Sequence, residues 1–184
     1  MMIEEIIKNE DFGIPNAEYS DNPFTRYAAR GVVYNPDDHR ISVVVITKMN
    51  LYKLPGGGVE GEENPEETFE REVLEEAGCK IKNIRKIGTV LEERSSVDFK
   101  QISHVFVADL LEDIGKNNPT EEEIAGGLKT KWMDIDEALE IFEANKDKIT
   151  GETEEDVYVA KFMAERDIRI LKIFKEQYEN VLQS

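Results

Sequence analysis

The sequence contains a single cysteine, Cys79, among its 184 residues. One cysteine excludes an internal disulfide framework and is typical of proteins from a reducing compartment. No run approaches the roughly 18 apolar residues that a membrane span requires. The first residues, MMIEEIIKNE, also lack the basic start and the long apolar segment of a signal peptide. We therefore expect a cytoplasmic protein that is not embedded in a membrane.

Positive charge is scarce, because 40 aspartates and glutamates outnumber 23 lysines and arginines and give a formal net charge of -17. A field of this sign repels nucleic-acid backbones and anionic membranes, so we expect neither as a partner. It also repels phosphorylated substrates, and a substrate of that kind would need a cation to bridge it to the protein. The length suits one domain with a proper core.

The segment of residues 54–79 reads LPGGGVEGEENPEETFEREVLEEAGC, which predicts a glycine-rich turn, a short acidic loop and then a helix. Asn64 is a favourable N-cap and Pro65 suits the first helical position. Glu67 can reach back to the backbone of Asn64 to complete a capping box. Gly78 predicts a left-handed residue at the end of the helix.

The other face of this helix carries Glu72, Glu75 and Glu76, at spacings that place their carboxylates side by side. Like charges so spaced cost about 0.2–0.5 kcal/mol per pair, and anions near the negative end of a helix cost about 0.3–1 kcal/mol each. A bound divalent cation would offset these costs, and carboxylate oxygens suit Mg²⁺ or Mn²⁺. The alternative interpretation is a solvated acidic face on a very acidic protein.

The same segment resembles the signature of the MutT-like Nudix hydrolase family, G-x5-E-x7-R-E-U-x-E-E-x-G-U, in which U is a bulky aliphatic residue. The matching positions are Gly57, Glu63, Arg71, Glu72, Val73, Glu75, Glu76 and Gly78. Cys79 stands at the final U position, where it should behave as a small buried hydrophobe and leave the chemistry unchanged. The strict match covers only a small part of the chain.

Strands before and after one central helix, followed by a further helix and a C-terminal helix at about residues 154–183, predict an α/β protein with a mixed β-sheet. The resemblance likewise implies a Nudix-type α/β/α sandwich. We expect residues 1–184 to form a single domain. The C-terminal helix carries an apolar stripe that could serve a homodimer, although packing on the sheet is favoured, and its members are Leu171, Phe174, Tyr178 and Val181.

The resemblance implies a pyrophosphohydrolase that uses water and Mg²⁺ to cleave a nucleoside diphosphate linked to another moiety. By analogy with the family the implied metal ligands are the carbonyl oxygen of Gly56 and the carboxylates of Glu63, Glu72, Glu75 and Glu76, of which Glu63 is a partial ligand or lies behind the others. Bound metal ions can polarise the phosphate oxygens and activate the attacking water.

The roles of Arg71 and of the general base each have more than one interpretation. We interpret Arg71, the one cation within the cluster, as orienting the carboxylates, the alternative being a surface pair with Glu75. The general base is either a glutamate of the signature or a later residue, for which Glu122, Glu123 and Glu112 are candidates. The acidic run at 121–123 can equally be explained as charge at the start of a helix.

Substrate contacts are expected from Gly57 and Gly58, because backbone without a Cβ can approach a ligand closely. Arg26 and Arg30 lie at even spacing on a strand and could bind phosphates from one side of the sheet, or could pair with surplus acids. Substrate candidates are ADP-ribose or another nucleotide sugar, a nucleoside triphosphate, and a dinucleoside polyphosphate. Two alternatives to an enzyme are a nucleotide-sensing Nudix module without turnover and a structural Ca²⁺ or Mg²⁺ site.

Overall fold

A computed structural model describes residues 3–182, apart from the side chains of Ile3, Glu122 and residues 178–182. The strands are β1 (Ile3–Lys8), β2 (Phe24–Asn35), β3 (Arg40–Ile46), β4 (Leu51–Lys53), β5 (Gly56–Gly58), β6 (Cys79–Arg94), β7 (Phe99–Asp113) and β8 (Leu128–Asp134). The α-helices are α1 (Pro65–Glu72), α2 (Glu121–Gly126), α3 (Ile135–Asn145) and α4 (Glu154–Leu182).

All of these strands belong to one sheet. Six lie in the order β1-β6-β7-β2-β3-β4, while β5 pairs with β2 and β8 pairs with β3. β1 runs parallel to β6 and β2 runs parallel to β7, whereas the other pairs are antiparallel, so the predicted mixed sheet is confirmed. The short strand β5 positions the site, because it places Gly56 opposite Arg30 and so joins the glycine turn to β2.

Both faces of the sheet are covered by helices. Neighbouring residues of β2 such as Val32 and Val33 belong to two different apolar clusters, because side chains alternate across a strand. The cluster on one face includes Phe69 of α1, and the cluster on the other includes Phe142 of α3 and Phe162 of α4. The predicted α/β/α sandwich is therefore confirmed.

Helix α1 begins at Asn64 and Pro65 and stops at Gly78 as the sequence predicts, but its last turn is wider than an α-helical turn. The Asn64 side chain accepts from the backbone N–H groups of Glu66 at 2.9 Å and Glu67 at 3.1 Å, and the Glu67 carboxylate accepts from the Asn64 N–H at 2.9 Å. The chain then widens into a π-helical turn over Val73–Ala77 and stops at Gly78, which is left-handed with φ 65. Widened turns of this kind often occur at functional sites, and here the turn contains part of the acidic signature.

Helix α4 packs against the sheet. Leu171 and Phe174 of its predicted stripe are buried in the core, whereas the other two predicted members, Tyr178 and Val181, lie outside the described side chains. The homodimer stays a prediction. Within the described range of residues 3–182, no helix is both long enough and apolar enough to cross a membrane.

Candidate functional site

A polar cleft of about 470 Å³ opens where β5, α1, α2 and α4 meet. It brings together most of the residues that the sequence predicts for the site, which are Arg26, Arg30, Gly56, Gly57, Gly58, Arg71, Glu72, Glu75 and Glu76. Residues from β4, β6, β7, α2 and α4, which lie outside the signature, also line it, among them Lys53, Glu123 and Arg166. The cleft is therefore assembled from distant parts of the chain around the glycine turn and α1.

Three carboxylates form the acidic centre of the cleft. Glu72, Glu76 and Glu123 each place one oxygen within 4.8 Å of the corresponding oxygens of the other two. Burial raises the pKa of Glu72 above its usual value, and it raises the pKa of Glu76 to about 7. Carboxylate oxygens this close repel one another when ionised, and hard divalent cations such as Mg²⁺ and Mn²⁺ are the ions that such a donor set prefers. The side chains present therefore fit a divalent cation.

Lys53 lies directly beside this centre. Its ammonium group contacts the Glu76 carboxylate and donates to the carbonyl oxygen of Gly56 at 3.3 Å. The Gly56 N–H in turn donates to the Glu76 carboxylate at 2.8 Å. Two groups that the resemblance implies as metal ligands therefore share a lysine as their partner. Sequence reasoning missed Lys53, although a lysine three residues before Gly56 is a local signal that could have been weighed.

Arg71 holds a second group of acids together. Its guanidinium donates to Glu63 at 2.8 Å, to Glu72 at 2.9 Å, to Glu75 at 3.1 Å and to the carbonyl oxygen of Gly58 at 3.1 Å. Hydrogen bonding from Arg71 lowers the pKa of Glu63 to about 2. Glu75 thus lies with Arg71 and Glu76 lies in the acidic centre, while Glu72 takes part in both groups.

The three candidates for the general base outside the signature are Glu122, Glu123 and Glu112. The side chain of Glu122, the predicted base, lies outside the described residues, whereas that of Glu123 joins the acidic centre. Thr120 donates to the Glu123 carboxylate from its N–H at 2.7 Å and from its hydroxyl at 3.0 Å, so Glu123 also caps α2. Glu112, the third candidate, is exposed and pairs with Lys80 at 2.8 Å on another part of the surface.

A buried polar network lines the side of the cleft beneath α4, and sequence reasoning missed it. Glu92 accepts from Arg94 at 2.9 Å, from Arg166 at 3.3 Å and from Gln101 at 2.7 Å. Arg30 lies beside this network, where burial lowers its pKa to about 10. These residues are far apart in sequence, and polar side chains at otherwise buried positions of the sheet are the one signal that could have found them.

The family profile described as NUDIX domain matches residues 24–152 of the chain. The match ends before α4 begins at Glu154. The profile thus covers the glycine turn, α1 and every strand except β1, while the α4 wall of the cleft lies beyond it.

Three curated proteins illustrate what the chain is similar to. A CMP-5'-(N-acetyl-N-hydroxy-3-aminopropyl)phosphonate hydrolase of Streptomyces rubellomurinus (strain ATCC 31215) is 27% identical over 146 residues, which are 77% of this chain and 68% of that protein. Diphosphoinositol polyphosphate phosphohydrolase 3-alpha of Mus musculus is 38% identical over 96 residues, 50% of this chain and 53% of that protein. Diphosphoinositol polyphosphate phosphohydrolase 2 of Rattus norvegicus is 34% identical over 96 residues, 50% of this chain and 48% of that protein.

The chain thus spans about half the length of the two diphosphoinositol relatives. All three are named as hydrolases of phosphorus compounds. Together with the profile, these names support the prediction of a pyrophosphohydrolase.

Proposed function

Because the chain belongs to the NUDIX domain family, as its signature predicts, we propose that it is a Mg²⁺- or Mn²⁺-dependent hydrolase of the pyrophosphate linkage in a nucleoside diphosphate derivative. The observation that carries this proposal is the convergence of Glu72, Glu76 and Glu123 within 4.8 Å, in a cleft that arginines also line. Two of these three glutamates belong to the signature and the third comes from a separate helix.

We assign the metal to Glu72 and Glu76, with the carbonyl oxygen of Gly56 as a further ligand. When bound, the metal supplies positive charge to the phosphate oxygens and makes water more acidic. Glu63 and Glu75, which were predicted as ligands, accept from Arg71 and, unlike Glu72, are not members of the close carboxylate group, so we assign them to orientation. Supporting partners of this kind fix the direction of ligands and are needed for full metal affinity.

The protein's own groups supply the remaining steps. Glu123 comes from a different helix and is partly exposed in the cleft, so we assign it to accept the proton of the attacking water. Gly58 lies against the Arg26 guanidinium and Gly57 against the Glu72 carboxylate, and the arginines Arg26 and Arg30 provide donors for substrate phosphates. Oriented donors aimed at phosphate oxygens stabilise the charge that develops as the anhydride bond breaks.

The proposal names a broad class of substrates rather than a single compound. The relatives are named for a CMP-linked phosphonate and for diphosphoinositol polyphosphates. We propose a small phosphorylated substrate, with a nucleotide sugar such as ADP-ribose or a nucleoside triphosphate as the first candidates. Diphosphoinositol polyphosphates belong in the same test panel.

The test is a hydrolysis screen with Mg²⁺ in which products are identified by mass. The double variant Glu75→Gln with Glu76→Gln removes one carboxylate from each acidic group, and Glu121→Gln removes an exposed carboxylate of the same α2 region as a control. Turnover that the double variant loses and the control keeps supports the proposal. Nucleotide binding without any product would favour the sensing module, and Mg²⁺-dependent melting without turnover would favour a structural cation site.

We also propose that residues 1–184 form one domain, because α4 packs on the same sheet as the segment matched by the family profile. A single cooperative unfolding transition, identical by circular dichroism and by fluorescence of Trp132, is the expected observation. Two separated transitions would contradict it. The cytoplasmic location stays a prediction.

A further inference from the structure

Three arginine side chains converge beneath α4 in one part of the cleft. Arg30 comes from β2, Arg94 from the end of β6 and Arg166 from α4, and all three line the cleft although they are only 3%, 6% and 0% exposed. Buried guanidinium groups are normally paired with groups of opposite charge. Here, among the described residues, the carboxylates hydrogen-bonded to these arginines are Glu92 and Asp167.

The surplus cation is Arg30. Asp167 and Glu92 hold Arg166, and Glu92 also holds Arg94, whereas the recorded hydrogen bond of the Arg30 side chain is a long one to the Ser103 hydroxyl at 3.3 Å. The group therefore carries about one uncompensated positive charge. Glu76 is a further carboxylate whose charge influences Arg30, but it is already in contact with Lys53.

Two of these guanidinium groups also have buried N–H donors with no acceptor. Within the part of the chain that the structure describes, Nη1 of Arg30 and Nε of Arg94 are buried without a hydrogen-bond partner. Folded proteins satisfy almost all buried donors, so unpaired ones in a cleft need an explanation. An anionic group with several acceptor oxygens would satisfy both the orphaned donors and the surplus charge.

Arg30 places the three arginines next to the acidic centre. Arg30 pairs across the sheet with Gly56, whose N–H binds the Glu76 carboxylate. An anion held by Arg30 therefore lies beside the place where the proposed cleavage occurs. Helix α4 completes the wall of the cleft around Arg30 with Arg166 and Met163. This helix lies beyond the segment that the family profile matches.

We propose that Arg30, Arg94 and the α4 residue Arg166 form a subsite for a phosphoryl group of the substrate, next to the anhydride that is cleaved. This inference rests on the proposed function and narrows its substrate class. Compounds with a phosphoryl group beyond the cleaved linkage, such as nucleoside triphosphates and other polyphosphates, are favoured over nucleotide sugars whose distal group is uncharged.

The first test is binding of inorganic phosphate in the presence of EDTA, measured by titration calorimetry, so that neither metal nor turnover enters the readout. The variant is Arg30→Met and the matched control is Arg85→Met, an exposed arginine on β6. Removing a charge-assisted hydrogen bond should raise the Kd for phosphate about tenfold or more in Arg30→Met and leave it unchanged in Arg85→Met. Equal binding by all three proteins would overturn the subsite.

Protein stability separates this role from a structural one. Arg30 makes no hydrogen bond to Glu92 or Asp167, and the cost of burying it outweighs its attraction to these carboxylates, so Arg30→Met should melt in EDTA at the same temperature as the wild type or higher. Arg30→Lys, which keeps the charge, should bind phosphate with an affinity between those of the wild type and Arg30→Met. A large drop in melting temperature for both variants would show that Arg30 supports the fold and would overturn the proposal.

Kinetics identify the source of the phosphoryl group. Arg30→Met should lower kcat/KM for a nucleoside triphosphate more than for a nucleotide sugar, and phosphate should inhibit the wild type competitively. Equal losses, or non-competitive inhibition, would point to a separate site for free phosphate and overturn the substrate assignment. If phosphate binding depends on Arg30 but the protein hydrolyses no compound of the panel, the proposed function is refuted and the subsite stands. If the protein hydrolyses a substrate but phosphate binding does not depend on Arg30, the subsite is refuted and the proposed function stands.

Discussion

The ammonium group of Lys53 contacts the carboxylate of Glu76 at the floor of the cleft, where the two side chains are only 8% and 1% exposed. The same ammonium donates to the carbonyl oxygen of Gly56. In the proposed function both acceptors bind the divalent cation. A divalent cation held by these two groups would compete with Lys53 for their oxygens.

We expect Lys53→Met to bind Mg²⁺ more tightly than the wild type, because no ammonium has to be displaced. In EDTA the same variant should lose up to about 3–5 kcal/mol of unfolding free energy, since Glu76 is left buried without its partner. Titration calorimetry and denaturation in urea measure the two effects. Lys82→Met, an exposed lysine on β6, is the control. Unchanged Mg²⁺ affinity in Lys53→Met would mean that the two cations do not compete.

Glu123→Gln tests the assignment of the base. Glutamine keeps an oxygen that can accept from Thr120 and so preserves the cap of α2, but it cannot take a proton from water. We expect kcat to fall about 10²-fold or more, as is typical for loss of a general base, with little change in melting temperature. Glu121→Gln is the matched control, and Glu122→Gln is measured beside them. Loss of kcat in Glu122→Gln alone would transfer the role to Glu122.

Arg71→Lys tests whether shape or charge matters at the second acidic group. One ammonium cannot reproduce the separate hydrogen bonds of the guanidinium to Glu63, Glu72 and Glu75. We expect Mg²⁺ affinity or kcat/KM to fall about 10–100-fold although the charge is kept, as for other residues that orient metal ligands. Circular dichroism checks the fold. Full activity in Arg71→Lys would reduce the role of Arg71 to simple charge balance.

The local features of the signature could be predicted because their causes are local. The capping box of Asn64, the left-handed Gly78 and the closeness of Glu72 and Glu76 all follow from spacing along one helix. The separation of Glu75 did not follow from spacing. The chain widens into a π-turn after Glu72, and Arg71 supplies a partner that draws Glu75 away from the other two carboxylates.

The remaining site residues could not be predicted because the sheet decides which of them meet. Lys53 reaches Glu76, and Glu92 reaches Arg166, across 23 and 74 positions of the chain. Apart from the position of Lys53 shortly before the glycine turn, no local pattern distinguishes such residues from ordinary surface charges in a chain with 40 acids. Arg30 was identified from even spacing with Arg26, but its burial and its unpaired N–H groups depend on the strands and on the helix α4 around it.

Gly57→Ala tests the close approach of β5 and α1. A Cβ at Gly57 would overlap the Glu72 carboxylate, whereas one at Gly61 would meet nothing within 4 Å. We expect Gly57→Ala to displace that carboxylate and lower Mg²⁺ affinity about tenfold or more. Gly61→Ala should retain Mg²⁺ binding and lose only about 1 kcal/mol of stability from its left-handed backbone. Calorimetry and urea denaturation distinguish them, and equal Mg²⁺ affinity in both variants would contradict the prediction.

The buried Glu92 should make stability depend on pH in acid. Burial alone would raise the pKa of Glu92, but the guanidinium groups of Arg166, Arg94 and Arg30 outweigh it and lower that pKa from 4.5 to about 2. Because the folded pKa lies below the unfolded one, the stabilisation is complete above pH 4.5 and is lost as the pH falls toward 2. At about 1.4 kcal/mol per pKa unit, its size is on the order of 3 kcal/mol.

Urea denaturation of Glu92→Gln beside the wild type measures this contribution. Glutamine has nearly the same shape as glutamate but carries no charge, so the variant should be less stable by about 3 kcal/mol at pH 6. The difference should shrink steadily between pH 4.5 and 2, where the wild-type carboxylate also becomes neutral. The neighbouring Glu93→Gln, whose partners Lys8 and Lys100 are partly exposed, should change stability by less than about 1 kcal/mol at any pH. A deficit in Glu92→Gln that stays constant down to pH 2 would show that packing, rather than the charge on Glu92, stabilises the arginine group.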